Sequence, residues 1–380
     1  MKLGEGEEGH LLEYIIIWTN YILIDILWAE HWFVVLLQQT SIIPIKEIVM
    51  SHVVLSGIRA TGRLHFGNFL GAVRNFVDFQ RPKNTCLYFI ADLHTLTTLS
   101  DPEELRGNLI EIVKDYLAAG LDPERSIIYA QSSVPEISEL SLYLSMIQQL
   151  GDLQRIPTFK DLVRKQPDNV TLGLITYPVL MAADILGPKA TLIPVGEDQV
   201  PNVELAQALA RKFNNRYGET FVVPGMMEQM IKVPGLDGAK MGKSEADNAI
   251  DINASIDVIR ERYLKKGVTD PSRLRASDPG HPYTKCMSVY PVHELITAGE
   301  TETREIGKAC SAAQISCVAC KHKLADSIAL ILEPFQEKRA QLADQNDYVK
   351  DVLREGGKKA RARVVETIEV VRDKMGIVLY

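Results

Sequence analysis

Two short motifs in this chain have the residue types that handle a polyphosphate. His65-Phe66-Gly67-Asn68 closes the turn Ser56-Gly57-Ile58-Arg59-Ala60-Thr61-Gly62-Arg63-Leu64, which follows the apolar run Val53-Val54-Leu55. Strand, glycine-rich turn and helix start together aim backbone N–H groups and the positive end of a helix dipole at an anion. Lys240-Met241-Gly242-Lys243-Ser244 sets two lysines after the glycine-rich stretch Pro234-Gly235-Leu236-Asp237-Gly238, a loop suited to closing over phosphates. Taken singly, each motif has a plain reading: a structural glycine turn with a capping histidine, and a solvated surface loop. Asp184 stands in an apolar helical run with Leu180, Met181, Ile185 and Leu186, and a carboxylate there is rarely buried without a partner. Cys286, Cys310, Cys317 and Cys320 form a Cys-x-x-Cys pair with two further cysteines nearby. That is a metal-site pattern, and four thiolates suit structural Zn²⁺ and a [4Fe–4S] cluster alike.

The order of the two motifs resembles the ATP motifs of class I aminoacyl-tRNA synthetases. The stretches between them are similar to the tryptophanyl-tRNA synthetase family: Phe89-Ile90-Ala91-Asp92-Leu93-His94, Tyr177-Pro178-Val179-Leu180-Met181-Ala182-Ala183-Asp184-Ile185-Leu186, Ile193-Pro194-Val195-Gly196-Glu197-Asp198-Gln199 and Arg211-Lys212-Phe213-Asn214. The resemblance runs from about residue 53 to the C-terminus. It implies that ATP is bound by Arg59, Ala60, Thr61, Gly67, Asn68, Gly196, Glu197, Asp198, Ile231, Lys240, Met241, Gly242, Lys243 and Ser244. His65, Asn68, Lys240 and Lys243 become the catalytic set, donating to the phosphates and neutralising the leaving pyrophosphate. Gly67 is expected to keep the nucleotide's approach clear. L-Tryptophan falls to Tyr177 and Gln199 (amino group), Met181 and Val195 (ring) and Asp184 (indole N–H). Many relatives carry glutamine where Arg59 stands and serine where Gly242 stands.

The same resemblance implies Mg²⁺ carried on the triphosphate, with no all-protein cage in the sequence. A subset of bacterial members holds a [4Fe–4S] cluster on closely similar cysteines, which favours iron–sulfur over Zn²⁺ at Cys286, Cys310, Cys317 and Cys320. Further expectations are a tRNA(Trp) partner, a homodimer and a cytoplasmic location. The tyrosyl enzyme is the nearest rival, but it usually has histidine where Asn68 stands and lacks the Met-Ala-Ala-Asp-Ile-Leu block. A cluster-bearing RNA-binding paralogue without catalysis would not need His65, Lys240, Lys243 and Asp184 together.

These residues need a scaffold. Val53–Leu55, Cys86–Ile90, Ser126–Ala130 and Ala190–Val195 read as buried strands, alternating with helices such as 69–79 and 103–119, the latter started by Asp101-Pro102 and stopped by Gly120. The expected fold is α/β, a doubly wound, Rossmann-like parallel sheet of the class I synthetase kind over 50–250, with ligands at the carboxyl ends of the strands. Residues 131–186 read as a helical insertion, which in the family carries the amino-acid pocket and the dimer interface, and 235–245 as the lysine loop. Strand signals fade after Asp251; helices at 255–266, 302–314, 318–344 and 364–375 make an all-helical C-terminal domain over 251–380, which in the family receives the anticodon. Cys86 reads as a buried apolar residue in a strand.

The chain has 380 residues, 46% hydrophobic and 24% charged, with a formal net charge of -7. That is globular composition, and it argues against a wholesale nucleic-acid coat while allowing local basic patches. Arg260, Arg262, Lys265, Lys266, Arg273 and Arg275, then Lys358, Lys359, Arg361 and Arg363, are the candidate tRNA contacts. Residues 1–49 stand apart: all three tryptophans (Trp18, Trp28, Trp32) lie there. Asp25 and Glu30 interrupt its apolar run below the ~18–20 residues a span needs, and the leading glutamates do not suit a signal peptide. Met50 stands where chains of this family begin, so the expectation is that translation starts there and 1–49 is an upstream frame. The competing reading is a membrane- or partner-binding appendage.

Overall fold

Apolar residues of opposite parity along each strand bury on opposite faces of a parallel sheet, because side chains alternate along a strand. In a computed structural model, strands β1 (Val53–Arg59), β2 (Thr85–Ala91), β3 (Ser126–Ala130), β4 (Leu192–Val195) and β5 (Gly225–Glu228) pair in the order β3-β2-β1-β4-β5. Every pair is parallel. The structure describes residues 51–228, 231–242, 248–297 and 300–378. Residues 1–50, and Lys243 and Ser244 of the lysine loop, lie outside the described residues. The register sets Gly57 opposite Phe89 and Arg59 opposite Ala91, so β1 and β2 end level with each other. One core holds Val54, Cys86, Tyr88, Ile90 and Ile128; the other holds Leu55, Leu87, Phe89, Ala91 and Tyr129. Two dry faces are the mark of a doubly wound sheet, as the sequence indicated.

Ten longer helices are described: α1 (Pro102–Ala118), α2 (Glu136–Ser145), α3 (Pro157–Lys165), α4 (Leu172–Leu186), α5 (Val200–Tyr217), α6 (Ile256–Lys266), α7 (Val289–Ile296), α8 (Glu300–Ser311), α9 (Cys317–Gln341) and α10 (Asn346–Met375). Asp101 starts α1 by accepting from the N–H groups of Glu103 and Glu104, with Pro102 at the first helical position. Thr171, Ser255 and Ser316 cap α4, α6 and α9 in the same way. Strand β5 and helix α7 are additions to the sequence reading. Helix α10 begins earlier than the expected 364. Its Gly356-Gly357 pair sits where the helix crosses β3: a Cβ on Gly356 would lie 1.8 Å from the Ile128 carbonyl oxygen. The glycines there permit close helix–strand contact and do not end the helix.

Helix α9 is fastened to α1 by a buried ionic cluster. Arg339 Nε donates to Asp115 Oδ1 at 2.8 Å and its Nη2 to Glu111 at 2.5 Å, while Lys114 donates to the Ala343 carbonyl at 2.6 Å. Burial pushes the Asp115 carboxyl up to about 6, and the Arg339 guanidinium only partly offsets that. A carboxyl with a raised folded pKa contributes stability below its unfolded value and loses it as pH rises through the folded one. Asp115→Asn should therefore gain on the order of 2–3 kcal/mol relative to wild type between about pH 4 and pH 7. Urea denaturation at a series of pH values measures this, and a pH-independent difference contradicts it.

Candidate active site

Reversal of strand order between β1 and β4 leaves a crevice at their carboxyl ends, and a cavity of about 580 Å³ opens there. Its wall includes Arg59, Asn68, Tyr177, Met181, Asp184, Val195, Gly196, Asp198 and Gln199 from the residues singled out by sequence. The apolar lining adds Phe89, Leu162 and Ile185.

Asp184 is 2% exposed. Its carboxylate accepts from Gln131 Nε2 at 2.9 and 2.8 Å and pairs with His94 Nε2 at 3.0 Å. Burial raises its pKa, and the His94 and Gln131 contacts oppose that. The Gln131 amide cannot flip without loss, because its Oε1 accepts from the His94 backbone N–H at 3.2 Å. Asp92 fixes the same corner by accepting from the N–H groups of Leu93 and Ser132, each at 3.0 Å, and from the Ser132 hydroxyl. Sequence reasoning expected the indole N–H of a bound ligand as the partner of Asp184, with an N-capping or salt-bridged aspartate as the alternative; the pair with His94 is of the second kind. That reasoning missed His94 and Gln131, although His94 lay within a quoted block; the signal was their place just after β2 and β3, the two strands that end at the crevice.

Two turns before Asp184 on α4, the Tyr177 hydroxyl donates to Thr158 Oγ1 at 2.5 Å, and Asn202 donates to Gln199 Oε1 at 3.0 Å. Tyr177 also meets the His94 ring edge-on, centroids 6.3 Å apart. Pro178 removes one backbone donor within α4 directly after Tyr177. Arg59 is pinned by Nη2 bonds to the His94 carbonyl (3.2 Å), Thr97 Oγ1 (3.1 Å) and Thr98 Oγ1 (2.6 Å), and burial lowers its pKa. The backbone of Ala60 is already committed, its N–H to Thr95 and its carbonyl to Asn108. Thr61 is exposed at the turn.

His65 caps its helix reciprocally: its Nδ1 accepts from the Asn68 N–H at 3.2 Å, and Asn68 Oδ1 accepts from the His65 N–H at 3.3 Å. The capping role is thus present, and a neutral ring accepting at Nδ1 carries its proton on Nε2. Packing within the protein also requires Gly67. A Cβ there would lie 3.0 Å from the His65 ring and 3.1 Å from Met241 Cβ, and the Gly67 N–H meets Met241 Sδ at 3.2 Å. Met241 is 4% exposed and joins the core below the turn. The two motifs therefore interlock through packing. The Ile231 carbonyl lies 3.3 Å from where a Cβ on Gly71 would project at the cavity wall. Lys240 pairs with Asp198 at 2.8 Å, and Lys232 pairs with Glu197. Despite partial burial, the Lys240 ammonium and Gln199 amide hold the Asp198 carboxyl below its ordinary value. Gly242 is the last described residue before the gap in the loop.

In the helical region, Cys286, Cys310, Cys317 and Cys320 border one small pocket together with Asp270, Arg273 and Tyr290. All four are free thiols. Burial raises the pKa of Cys286 and Cys310 and takes that of Cys320 to about 12. Among the described residues no three His, Cys, Asp or Glu side chains converge on a single ion position. Of the basic residues proposed from sequence as nucleic-acid contacts, several are already paired: Arg260 with Asp326 at 2.6 Å, Lys265 with Glu261, Lys358 with Glu355 at 2.7 Å and Arg361 with Glu136 at 2.7 Å.

The family model described as tRNA synthetases class I (W and Y) matches residues 50–333, and the chain belongs to this family. Within it, the chain is 41% identical over 328 residues to the tryptophan–tRNA ligase of Thermotoga maritima, covering 85% of this chain and 99% of that protein. It is 40% identical to the tryptophan–tRNA ligase of Deinococcus radiodurans, covering 85% of this chain and 98% of that one. The tryptophanyl-tRNA synthetase of Campylobacter jejuni, solved with ADP and tryptophan, superposes with a TM-score of 0.75 at 33% identity, covering 86% of this chain and all of that one. No helix among the described residues is long and apolar enough to cross a membrane.

Removing the Gln131 donor should be felt without any ligand. Gln131→Leu leaves a buried carboxylate short of a charge-assisted bond and should cost about 1–3 kcal/mol at neutral pH. The cost should shrink toward acid pH, where Asp184 protonates and no longer needs the donor. Urea titrations of both proteins at neutral and acid pH check this; equal stability throughout contradicts the assigned bond.

Proposed function

We propose that this chain is a tryptophan–tRNA ligase. It activates L-tryptophan with ATP to tryptophanyl-adenylate and pyrophosphate, then transfers tryptophan to the 3′ end of tRNA(Trp). The observation that carries the reading is the Asp184 carboxylate, held rigid by His94 and Gln131 at the wall of a cavity that also presents the apolar side chains of Phe89, Met181, Ile185 and Val195. An aromatic side chain with one N–H donor answers both features.

The chemistry is an in-line attack of the tryptophan carboxylate on the α-phosphorus of ATP, so the protein's work is positioning and charge. Asp184 accepts the indole N–H, Met181, Val195 and Phe89 flank the ring, and Tyr177 and Gln199 take the amino group. The Asn68 side chain and the Nε2–H of His65 serve the phosphates; Gly196, Glu197, Asp198 and the Ile231 backbone serve the nucleoside. Lys240 reaches the phosphates by leaving Asp198. That exposed ion pair is worth only ~0–1 kcal/mol, so a polyphosphate displaces it readily. Lys243 and Ser244 complete the loop in this reading. Mg²⁺ travels on the triphosphate, held mainly by phosphate oxygens and water.

The four cysteines are assigned to a [4Fe–4S] cluster, with structural Zn²⁺ as the alternative. The supporting observations are four thiols on one pocket and the cradle at Gly280, where a Cβ would sit 2.5 Å from Cys310 Sγ. Such a centre supplies structural order to the helical region that receives the anticodon. Exposed apolar side chains on the insertion (Leu142, Met146, Leu150 and Leu172) support a homodimer, and the reaction belongs with tRNA in the cytoplasm.

Pyrophosphate exchange into ATP, with each of the twenty amino acids offered separately, tests the reading. Exchange should depend on tryptophan. Lys240→Ala should lower its rate about 10²–10³-fold, the cost of one preorganised charge. Exchange driven by tyrosine, or by no amino acid, would overturn the assignment.

A further inference from the structure

Arg273, expected from the sequence to face a nucleic acid, turns inward to the four-cysteine pocket. Its Nη2 donates to the carbonyls of Ala276 (2.7 Å) and Ile315 (2.9 Å), which fixes the guanidinium between its own loop and the connection from α8 to α9. That leaves Nη1 3.6 Å from Cys310 Sγ and 4.0 Å from Cys317 Sγ. The Nε is buried with no hydrogen-bond partner. Gly280 closes the same corner: its N–H binds the Cys310 carbonyl at 3.0 Å, and a Cβ on it would sit 3.4 Å from Arg273 Cδ.

Arg273 is half-buried with its Nε shut away from solvent, and a partly desolvated guanidinium favours an anion close by. Asp270 borders the pocket, but both its oxygens are engaged. Oδ1 accepts from the Ser272 N–H and hydroxyl at 2.8 and 2.5 Å, and Oδ2 from the His281 N–H and Nδ1 at 2.9 and 2.7 Å. Among the described residues no carboxylate pairs with Arg273. The remaining acceptors are Cys310 and Cys317. A neutral thiol is a weak acceptor, whereas a thiolate is an anion. Several thiolates share one pocket only when a metal centre offsets their mutual repulsion. Four thiolates also outweigh the charge of the ion or cluster they hold, so the loaded site is net negative and has a use for a resident cation.

We propose that Arg273 is the counter-cation of the four-cysteine site, fixing Cys310 and Cys317 as metal-bound thiolates and retaining the centre they hold. This rests on reading the four cysteines as a metal site, and it adds a positioning residue that the cysteine spacing does not reveal. The bonds to Ala276 and Ile315 aim the charge; the charge is what acts.

The test uses the full chain prepared without oxygen as wild type, Arg273→Lys, Arg273→Met and Cys317→Ser. Lysine and methionine both lose the two carbonyl bonds in large part, but only lysine keeps the charge. Iron, zinc and acid-labile sulfide per chain are measured, followed by the rate of metal loss to excess EDTA. Tryptophan-dependent pyrophosphate exchange reports folding, and Arg273→Gln replaces Arg273→Met if the latter does not fold. The expected result is metal loss at least about tenfold faster from Arg273→Met, with Arg273→Lys within about threefold of wild type. If the metal is iron, the reduced-to-oxidised ratio at a fixed potential should also fall about tenfold in Arg273→Met, a shift of about 59 mV for one electron. Equal retention by wild type and Arg273→Met overturns the proposal. So does equal loss from Arg273→Lys and Arg273→Met, which makes the residue a backbone clamp. Wild type holding no more metal than Cys317→Ser instead removes the metal-site reading itself, and the proposal with it.

Discussion

A carboxylate shut away from water must be matched by donors, and around Asp184 that requirement organises the cleft. The donors come from the segments that follow β2 and β3: His94 offers its ring, and Gln131 offers an amide whose orientation the His94 backbone sets. Asp92 and Ser132 tie those two segments to each other. The acceptor is therefore placed before any ligand arrives, so a ligand does not have to order it on binding. Burial still raises the Asp184 pKa, which means the site carries an electrostatic cost in its empty state. A ligand N–H directed at the carboxylate relieves it.

The nucleotide side is built by a different device. Met241 is the middle of the lysine loop by sequence and part of the hydrophobic core by position. Its sulfur under the Gly67 N–H and the backbone bond from Phe66 to the Ile250 carbonyl couple the loop's base to the first motif. The Lys240 ammonium, by contrast, is held among the described residues by the exposed pair with Asp198. A firm base with a weakly tethered cation suits a loop that must exchange a carboxylate for a phosphate during turnover.

Much of this was legible in the sequence. Strands β1 to β4 announced themselves as short apolar runs, and the Asp101-Pro102 start of α1 read directly. All five residues expected to hold tryptophan line one cavity. What could not be read has physical causes. β5 is short and built on Met226 and Met227, which favour strands weakly. Gly356 and Gly357 look like a helix break until the crossing of β3 shows why a side chain is excluded there. Gln131 and His94 bear on Asp184 only through the register of three separate segments. Arg273 is indistinguishable from its exposed neighbours until the fold turns it toward sulfur.

In this account Asp184 reads a single N–H donor beside the apolar side chains of the cavity. That reading is tested most directly by comparing kcat/KM for pyrophosphate exchange with tryptophan and with its benzothiophene analogue, which keeps the ring's shape but replaces N–H with sulfur. A site built around a buried hydrogen bond should reject the analogue by roughly 10⁴–10⁵, and Asp184→Ala should collapse most of that difference. Comparable activation of both compounds by the unmodified protein would contradict the account.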